Sequence, residues 1–248
     1  SRGLGAATAR QLAHEGAKVA INSRDAAKLN ATAETIRKES GAQVIAIPGD
    51  VTSPADIERM IGETVKQFGG IDILVTNSGG PPAGRFDDFD DDAWRKATDL
   101  MIMCAVRLIR ASLPHLRKSG AASVLTITSM STKQPLANLV LSNSIRMAVI
   151  GLTKSLALEL GNEGIRFNSI LPAFTETERI VELMTDRAKR TGATVEEEIK
   201  KQAATSPFGR MGTPAEFGNV AAFLCSPAAS YLTGVMLSVD GGMYKGTL

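Results

Sequence analysis

The stretch Ser1-Arg2-Gly3-Leu4-Gly5 decides the fold, because it is a glycine-rich turn that runs directly into a helical pattern. The helix is predicted over Gly5–Glu15, and a strand-like apolar run, Lys18–Asn22, follows it. Glycines let the backbone approach a ligand closely, and the first turn of the following helix offers free N–H groups and a positive dipole end. A glycine pair alone is a common turn, but a glycine turn followed by a helix and a strand indicates a dinucleotide-binding unit.

The rest of the chain repeats this alternation of short apolar strands and longer amphipathic helices. Strands are predicted at Lys18–Asn22, Gln43–Pro48, Ile73–Thr76, Ser123–Thr128, Arg166–Leu171 and Val235–Val239. Helices are predicted at Gly5–Glu15, Asp25–Ser40, Ser53–Phe68, Asp91–Arg117, Ser144–Leu160 and Pro214–Cys225. This order predicts an α/β fold with right-handed crossovers: a doubly wound parallel sheet of the Rossmann type in a three-layer sandwich. With 248 residues and no linker or repeat, we expect one domain over residues 1–248.

The strand that should lead into the glycine turn is absent from the numbered sequence. In a doubly wound sheet that strand is central, and both of its neighbours would have an exposed edge without it. We therefore expect about 10–15 residues to precede Ser1 in the whole protein.

The composition favours a small-molecule protein over a nucleic-acid or membrane protein. The net charge is +2, from 28 basic and 26 acidic residues. A charge this small gives no strong positive electrostatic field that would attract nucleic acid or anionic lipid. No apolar run reaches the roughly 20 residues that span a bilayer, and no signal peptide is visible, so a cytoplasmic location is expected. Cys104 and Cys225 lie within apolar helical patterns and are expected to be buried free thiols. We therefore expect no metal site, and we expect the catalytic chemistry to come from organic side chains and a bound cofactor.

A second stretch, in the middle of the chain, carries the candidate chemistry. Thr126-Ile127-Thr128-Ser129 ends a strand-like run, and Leu141-Ser142-Asn143-Ser144-Ile145-Arg146 opens the next helix. This layout resembles the active-site arm of the short-chain dehydrogenase/reductase family. In that family a serine lies thirteen positions before a tyrosine, and a lysine follows the tyrosine by four positions on the same helix face. Here Ser129 keeps the serine, whereas Ser142 and Arg146 stand at the tyrosine and lysine positions.

Further motifs similar to those of the family follow in order along essentially the whole chain. Gly3 and Gly5 match the last two glycines of its fingerprint, and Asp50-Val51 resembles its adenine-contacting pair. Thr76-Asn77-Ser78-Gly79 stands at its Asn-Asn-Ala-Gly turn, and Pro172–Thr177 at the stretch that meets the nicotinamide, with an alanine replacing a glycine. The resemblance, which is to the branch that includes 3-oxoacyl-acyl-carrier-protein reductases, implies a cofactor site formed by Arg2, Gly3, Leu4, Gly5, Ser23, Arg24, Asp50, Val51, Asn77, Gly79, Arg146, Pro172, Thr175 and Thr177.

The residues that follow the predicted strand Lys18–Asn22 distinguish binding of NADP(H) from binding of NAD(H). An acidic residue after the strand would bind the ribose 2′-hydroxyl, but Ser23 stands there and Arg24 follows it. Arg2, in the glycine turn, is a second cation near the same corner. Two guanidiniums without an acid suit a 2′-phosphate, so NADP(H) is the expected cofactor. The alternative is that both arginines are solvated surface residues.

The family's acid–base group is altered in this chain. In the family the tyrosine phenol is the general acid or base, the lysine lowers its pKa, and an asparagine on the preceding helix anchors a relay water. Met101 stands at the asparagine position, and the two tyrosines of the chain, Tyr231 and Tyr244, lie near its C-terminus. The hydroxyl of Ser142 is a far weaker acid than a phenol, and Arg146 stays protonated. Ordinary tyrosine-driven ketone reduction is therefore disfavoured.

Several interpretations of this altered site remain open. In the first, Ser129, Ser142 and Arg146 stabilise a developing alkoxide while water or the substrate supplies the proton, which makes the chain an NADP(H)-dependent oxidoreductase acting on a carbonyl or hydroxyl substrate. In the second, the chain binds NADP(H) but does little chemistry and acts as a regulatory or partner subunit. A likeness to halohydrin dehalogenases is weaker, since the cofactor motifs are kept here. Finally, Ser142 and Arg146 could be a helix-terminal residue and a structural arginine.

Two further expectations concern assembly and the lid. The helices Asp91–Arg117 and Ser144–Leu160 carry apolar residues on more faces than one sheet contact requires. In the resembling family these helices pair across a two-fold axis, so a homotetramer is expected. The segment Glu178–Pro207 stands where the family has its substrate lid, and its many charges are expected to line a solvated helical face.

Overall fold

The computed structural model describes residues 1–247, in which parallel strands alternate with helices. The strands are β1 (Val19–Ser23), β2 (Val44–Pro48), β3 (Ile73–Thr76), β4 (Ser123–Ile127), β5 (Arg166–Pro172) and β6 (Met236–Val239). The helices are α1 (Gly3–His14), α2 (Ala26–Ser40), α3 (Pro54–Phe68), α4 (Asp91–Thr98), α5 (Cys104–Leu116), α6 (Val140–Leu160), α7 (Glu178–Thr191), α8 (Val195–Ala203) and α9 (Pro214–Cys225).

Local sequence signals set where the early helices begin and end. The carboxylate of Asp25 accepts a hydrogen bond from the third backbone N–H of α2, and the Ser53 hydroxyl does the same for α3. Both helices end at a glycine in the left-handed region, Gly41 and Gly69, which satisfies a terminal carbonyl without a Cβ clash. These helices therefore return the chain to the sheet at defined points.

The sheet positions the site, because all of its described strand pairs are parallel. β1 pairs with β2, and β3, β4, β5 and β6 pair in that order. Adjacent residues of β4 face opposite layers: Val124 packs with α3 and α5, and Leu125 packs with α9. Helices thus cover both faces, which confirms the predicted doubly wound α/β fold. The carboxyl ends of the parallel strands share one edge, where such folds place their ligands.

A gap separates the two groups of strands. Within residues 1–247, β1 and β3 each have one edge that pairs with no other strand. A cavity of about 620 Å³ runs along this gap, and its wall includes Leu12, Val19, Ile21 and Val75. The expectation that a further strand precedes Ser1 stays a prediction.

The predicted helical stretch over Asp91–Arg117 is helical from Asp91 to Leu116, but it contains a π-helical turn that was not predicted. α4 ends at Thr98, a π-helical segment spans Asp99–Met103, and α5 then runs to Leu116. A π-helical segment widens one helical turn, and such segments are frequent at functional sites. Here the segment brings Asp99 and Leu100 to the main cleft.

Two other elements differ in extent from their predictions. α6 begins at Val140 rather than Ser144, so Ser142 already lies in its first turn. The segment over 178–207 contains two helices, α7 and α8, which the buried carboxylate of Glu198 ties together. Glu198 pairs with Arg187 at 2.9 Å and with Lys201 at 3.0 Å.

The two cysteines are buried, as their apolar sequence context predicted. Cys104 and Cys225 are buried free thiols, and burial raises the pKa of each to about 12. Among the described helices, none is both long and apolar enough to cross a membrane. No grouping of three or more His, Cys, Asp or Glu side chains suited to a metal ion occurs in residues 1–247. The expected cytoplasmic location stays a prediction.

Candidate active site

The carboxyl ends of the strands open into a cleft of about 1020 Å³. It is lined by the sequence-predicted residues Arg2, Gly3, Leu4, Ser23, Arg24, Asp50, Val51, Asn77, Gly79, Ser129, Ser142, Arg146, Pro172, Thr175 and Thr177. Gly5 lies behind this surface, where a Cβ would come within 3.0 Å of the Asn77 side-chain nitrogen. The structure therefore brings the predicted catalytic and cofactor residues to one cleft.

The floor of the cleft is formed by the start of α6 against the end of β4. Ser142 and Arg146 lie one helical turn apart, and Arg146 Nε donates a hydrogen bond of 3.1 Å to Ser142 Oγ. Arg146 Nη1 donates to the carbonyl oxygens of Thr128 at 3.1 Å and Ile127 at 3.4 Å. The guanidinium is therefore fixed to the end of the strand that carries Ser129.

The two serine hydroxyls keep donor capacity toward the cleft. Ser142 Oγ accepts from Arg146, and Ser129 Oγ accepts from the backbone N–H of Ser131 at 3.1 Å. A hydroxyl has one proton to donate, and neither hydroxyl donates it to another described residue in these bonds. Ser129 and Ser142 can thus both donate to an oxygen bound in the cleft.

Arg146 is a cation without a carboxylate partner in the described chain. All of its hydrogen bonds go to neutral oxygens, and its Nη2 makes none with residues 1–247. Burial, and secondarily the charge of Arg179, lowers the pKa of Arg146 to about 10. The guanidinium is still protonated at neutral pH, so it presents a fixed positive charge.

No residue replaces the missing tyrosine or asparagine within the described part of the cleft. Met101 is buried in an apolar cluster with Leu141 and Ile145, so its position offers no polar group to a relay water. Tyr231 is fully exposed, and Tyr244 packs under Lys133, whose ammonium lies 5.2 Å from the ring centre. Neither tyrosine lines the cleft.

The glycine turn forms the opposite end of the cleft. Gly3 has a φ of +58°, a left-handed conformation, and a Cβ there would lie 3.8 Å from the Thr177 methyl group. Glycine at this position keeps the backbone open where α1 begins. The first N–H groups of α1 and the unused hydroxyl of Thr177 face this end, which is the arrangement that binds a diphosphate.

The corner beside the end of β1 carries the predicted 2′-phosphate residues. Arg24 forms no hydrogen bond or ion pair with another residue of the described chain, whereas Arg2 pairs with Glu182 at 3.2 Å. Asp50 accepts from the Thr52 backbone N–H at 2.9 Å and from its hydroxyl at 2.8 Å, and chiefly that N–H lowers the pKa of Asp50. Asp50 is therefore an ionised acceptor, and Arg24 is an unpaired cation.

The sequence-based interpretation missed Arg179, which was assigned to a solvated helical face. Arg179 follows Thr177 at the start of α7 and lines the cleft. A Cβ on Gly80 would lie 3.7 Å from Arg179 Nη2, so the side chain reaches the turn after β3 on the opposite wall. Its place two residues after the nicotinamide stretch was the signal available in the sequence.

Comparison with known proteins identifies the family. The family model described as enoyl-(acyl carrier protein) reductase matches residues 1–244. A dehydrogenase/reductase SDR family member 4 from Bos taurus is 34% identical over 241 residues, which cover 97% of this chain and 83% of that protein. The chain belongs to the short-chain dehydrogenase/reductase family. A 3-oxoacyl-acyl-carrier-protein reductase of Staphylococcus aureus is also 34% identical, over 98% of this chain and 95% of that enzyme, which confirms the resemblance drawn from the motifs.

Solved structures of the short-chain dehydrogenase/reductase family share this fold. The L-sorbose reductase of Gluconobacter frateurii, complexed with NADPH and L-sorbose, superposes with a TM-score of 0.93 at 30% identity, over 99% of this chain and 94% of that one. An NADPH-bound short-chain oxidoreductase of Pseudomonas aeruginosa, described as containing an atypical catalytic center, gives 0.88 at 29% identity, over 99% and 94%. The Rossmann fold and an oxidoreductase class are therefore supported.

Proposed function

We propose that this chain is an NADP(H)-dependent oxidoreductase that interconverts a carbonyl and a hydroxyl group, as 3-oxoacyl reductases do, in a site formed by Ser129, Ser142 and Arg146. One observation carries the proposal: the Arg146–Ser142 hydrogen bond lies in the same cleft as the glycine turn that begins α1. The NADPH complexes of the two solved relatives support the cofactor.

The residues at the glycine-turn end fit NADP(H). The diphosphate would meet the N-terminus of α1 and Thr177, and the adenine end would meet Asp50. The unpaired guanidinium of Arg24 fits the 2′-phosphate, since arginine binds phosphate with paired, charge-assisted hydrogen bonds. Arg2 would join it after leaving Glu182, an exposed ion pair of little stability. When bound, NADPH supplies the hydride that reduces the carbonyl carbon.

The protein's part in the reaction is to stabilise negative charge on the substrate oxygen. Ser129 and Ser142 donate hydrogen bonds to that oxygen, and Arg146 polarises Ser142 from behind through the 3.1 Å bond. Nη2 of Arg146 is available to the oxygen directly. A fixed donor of this kind is worth about 10²–10³ in rate. The proton that completes the alcohol is assigned to a solvent water that reaches the cleft, and the hydroxide it leaves returns to bulk solvent. Arg146 keeps its own proton at neutral pH, because its pKa of about 10 lies well above 7.

The Pseudomonas oxidoreductase supports the view that a departure from the usual catalytic residues is compatible with NADPH binding. That protein is described as NADPH-bound and as containing an atypical catalytic center. In this chain the altered residues are Ser142 and Arg146, and they line a cleft of about 1020 Å³ together with Ser129. The altered site is therefore compatible with a working reductase.

A homotetramer is part of this proposal. Leu158 of α6 is 75% exposed and Met147 is 49% exposed, so the outer face of that helix is apolar. On the edge strand β6, Met236 and Leu237 are 40% and 37% exposed. Two separate apolar surfaces are what an assembly with two kinds of two-fold contact requires.

Stopped-flow absorbance at the nicotinamide band tests the proposed activity. The protein is mixed with NADPH and a panel of ketones, aldehydes, imines and, in reverse, alcohols with NADP⁺. We expect a single-turnover absorbance change with at least one carbonyl class, and a change about 10²-fold slower or more with the Arg146→Ala variant at equal NADPH saturation. Tight NADPH binding without any absorbance change across the panel would instead favour the regulatory-subunit alternative.

A further inference from the structure

Two guanidiniums reach the cleft from different walls. Arg146 rises from the floor formed by α6 and β4, and Arg179 extends from the lid helix α7 to the Gly80 turn. Both line the same cleft, and the charge of Arg179 acts on Arg146 strongly enough to contribute to its lowered pKa. Two positive charges that line one cleft favour the binding of an anion there.

The described residues do not neutralise these two charges. Arg146 bonds only to neutral oxygens. Arg179 bonds to Glu182 at 3.3 Å, but the other oxygen of that carboxylate is already paired with Arg2 at 3.2 Å. One carboxylate is therefore shared by two arginines, while Arg146 has none.

The other acids along the cleft are engaged elsewhere. Asp50 is bound by Thr52, and Asp99 pairs with Arg107 at 2.7 Å. Glu178, the remaining acid, is exposed at the first position of α7, next to Thr177 at the glycine-turn end. Arg146 therefore has a positive charge that no carboxylate in the described part of the cleft balances, and a carboxylate ligand would supply the missing partner.

Several apolar side chains also line the cleft. Pro81, Leu136, Leu139, Ile180 and Leu183 line the same cleft between the loop after β3, the loop before α6 and the lid. An apolar wall beside a pair of unneutralised guanidiniums suits a ligand with a carboxylate head and an apolar body.

We propose that the substrate class is an oxo acid, whose carboxylate is held between Arg146 and Arg179 while its apolar body lies against Leu136 and Leu139. This inference rests on the proposed function for the reduction of the oxo group, but the binding of the carboxylate does not depend on turnover. Arg179 then acts as a specificity-determining residue of the lid.

Calorimetry on the protein saturated with NADP⁺ tests this inference with a matched pair of probes, benzoylformate and its methyl ester. The two differ in one negative charge and little in shape. We expect the acid to bind at least about tenfold more tightly than the ester, since a charge-assisted hydrogen bond is worth about that factor. Arg179→Gln should remove that advantage and leave ester binding unchanged.

Arg95→Gln is the control, because Arg95 also lines the cleft, is 74% exposed and pairs with Asp91 on its own helix. It removes the same charge and should change neither affinity. The inference is overturned if the acid does not bind, if the two probes bind equally, or if Arg95→Gln has the same effect as Arg179→Gln. Carboxylate binding without reduction of any carbonyl contradicts only the proposed function.

Discussion

Replacing Arg146 with alanine removes the only cation fixed to the floor of the described cleft. The change deletes the 3.1 Å hydrogen bonds to Ser142 Oγ and to the Thr128 carbonyl oxygen. It also removes the Nη2 donor that is proposed to lie beside the substrate oxygen. Loss of one preorganised oxyanion donor costs about 2.7–4 kcal/mol, so kcat should fall by about 10²–10³. The free energy of unfolding should change less, because the loss of three hydrogen bonds is opposed by removal of a desolvated charge.

The assay is single-turnover NADPH oxidation, with a thermal unfolding midpoint recorded for every variant. Arg146→Lys keeps a positive charge but loses the planar guanidinium with its several N–H donors, so its rate should lie between those of the wild type and Arg146→Ala. Ser142→Ala should lower the rate while leaving NADPH affinity unchanged, since Ser142 faces the substrate end. Guanidinium ion added to Arg146→Ala should restore part of the rate. A rate for Arg146→Ala within about threefold of the wild type would mean that the arginine is structural and that the proposed site is wrong.

Three other predictions follow from the same structure. Arg24→Ala should weaken NADPH binding by about 10-fold or more and leave NADH binding unchanged, because the unpaired Arg24 guanidinium is expected to bind the 2′-phosphate. Calorimetry with both cofactors measures this, and equal losses of affinity for the two cofactors would contradict it. Turnover should be constant through neutral pH and fall only as the pH approaches 10. The reason is that the pKa of Arg146 in the folded protein is lowered to about 10, so its positive charge is lost above that pH. A pH–rate profile with a step near neutrality would contradict this prediction. Light scattering should give a tetramer mass, and Leu158→Arg, on the exposed apolar face of α6, should reduce it; a wild-type monomer at micromolar concentration would exclude the assembly.

The alternation of elements could be predicted because short apolar strands and longer amphipathic helices have different periods. The meeting of Ser142 and Arg146 was predictable for the same kind of reason, since residues four apart on a helix share a face. Ser129 joins them because it follows β4, at the edge where parallel strands end. These inferences need only local geometry and one rule about sheet topology.

Other features depend on how distant segments pack, and the local sequence signal for them is weak or lacking. The π-helical segment Asp99–Met103 interrupts a pattern that is helical throughout. The early start of α6 at Val140 coincides with the Asn143 side chain bonding the backbone of Leu136, a contact that only the folded loop creates. Arg179 has the sequence context of a solvated helix, and only the position of α7 over the Gly80 turn brings it to the cleft.

Transfer of deuterium from labelled NADPH to a carbonyl substrate tests the central claim most directly. The protein is incubated with NADPH that carries deuterium at the transferred position, and the alcohol product is analysed by mass spectrometry. A cleft that positions both molecules and stabilises the oxyanion through Arg146 predicts one deuterium on the carbinol carbon, with the hydroxyl proton derived from solvent. An NADPH-saturated protein that forms no labelled alcohol from any carbonyl of the panel would contradict the account.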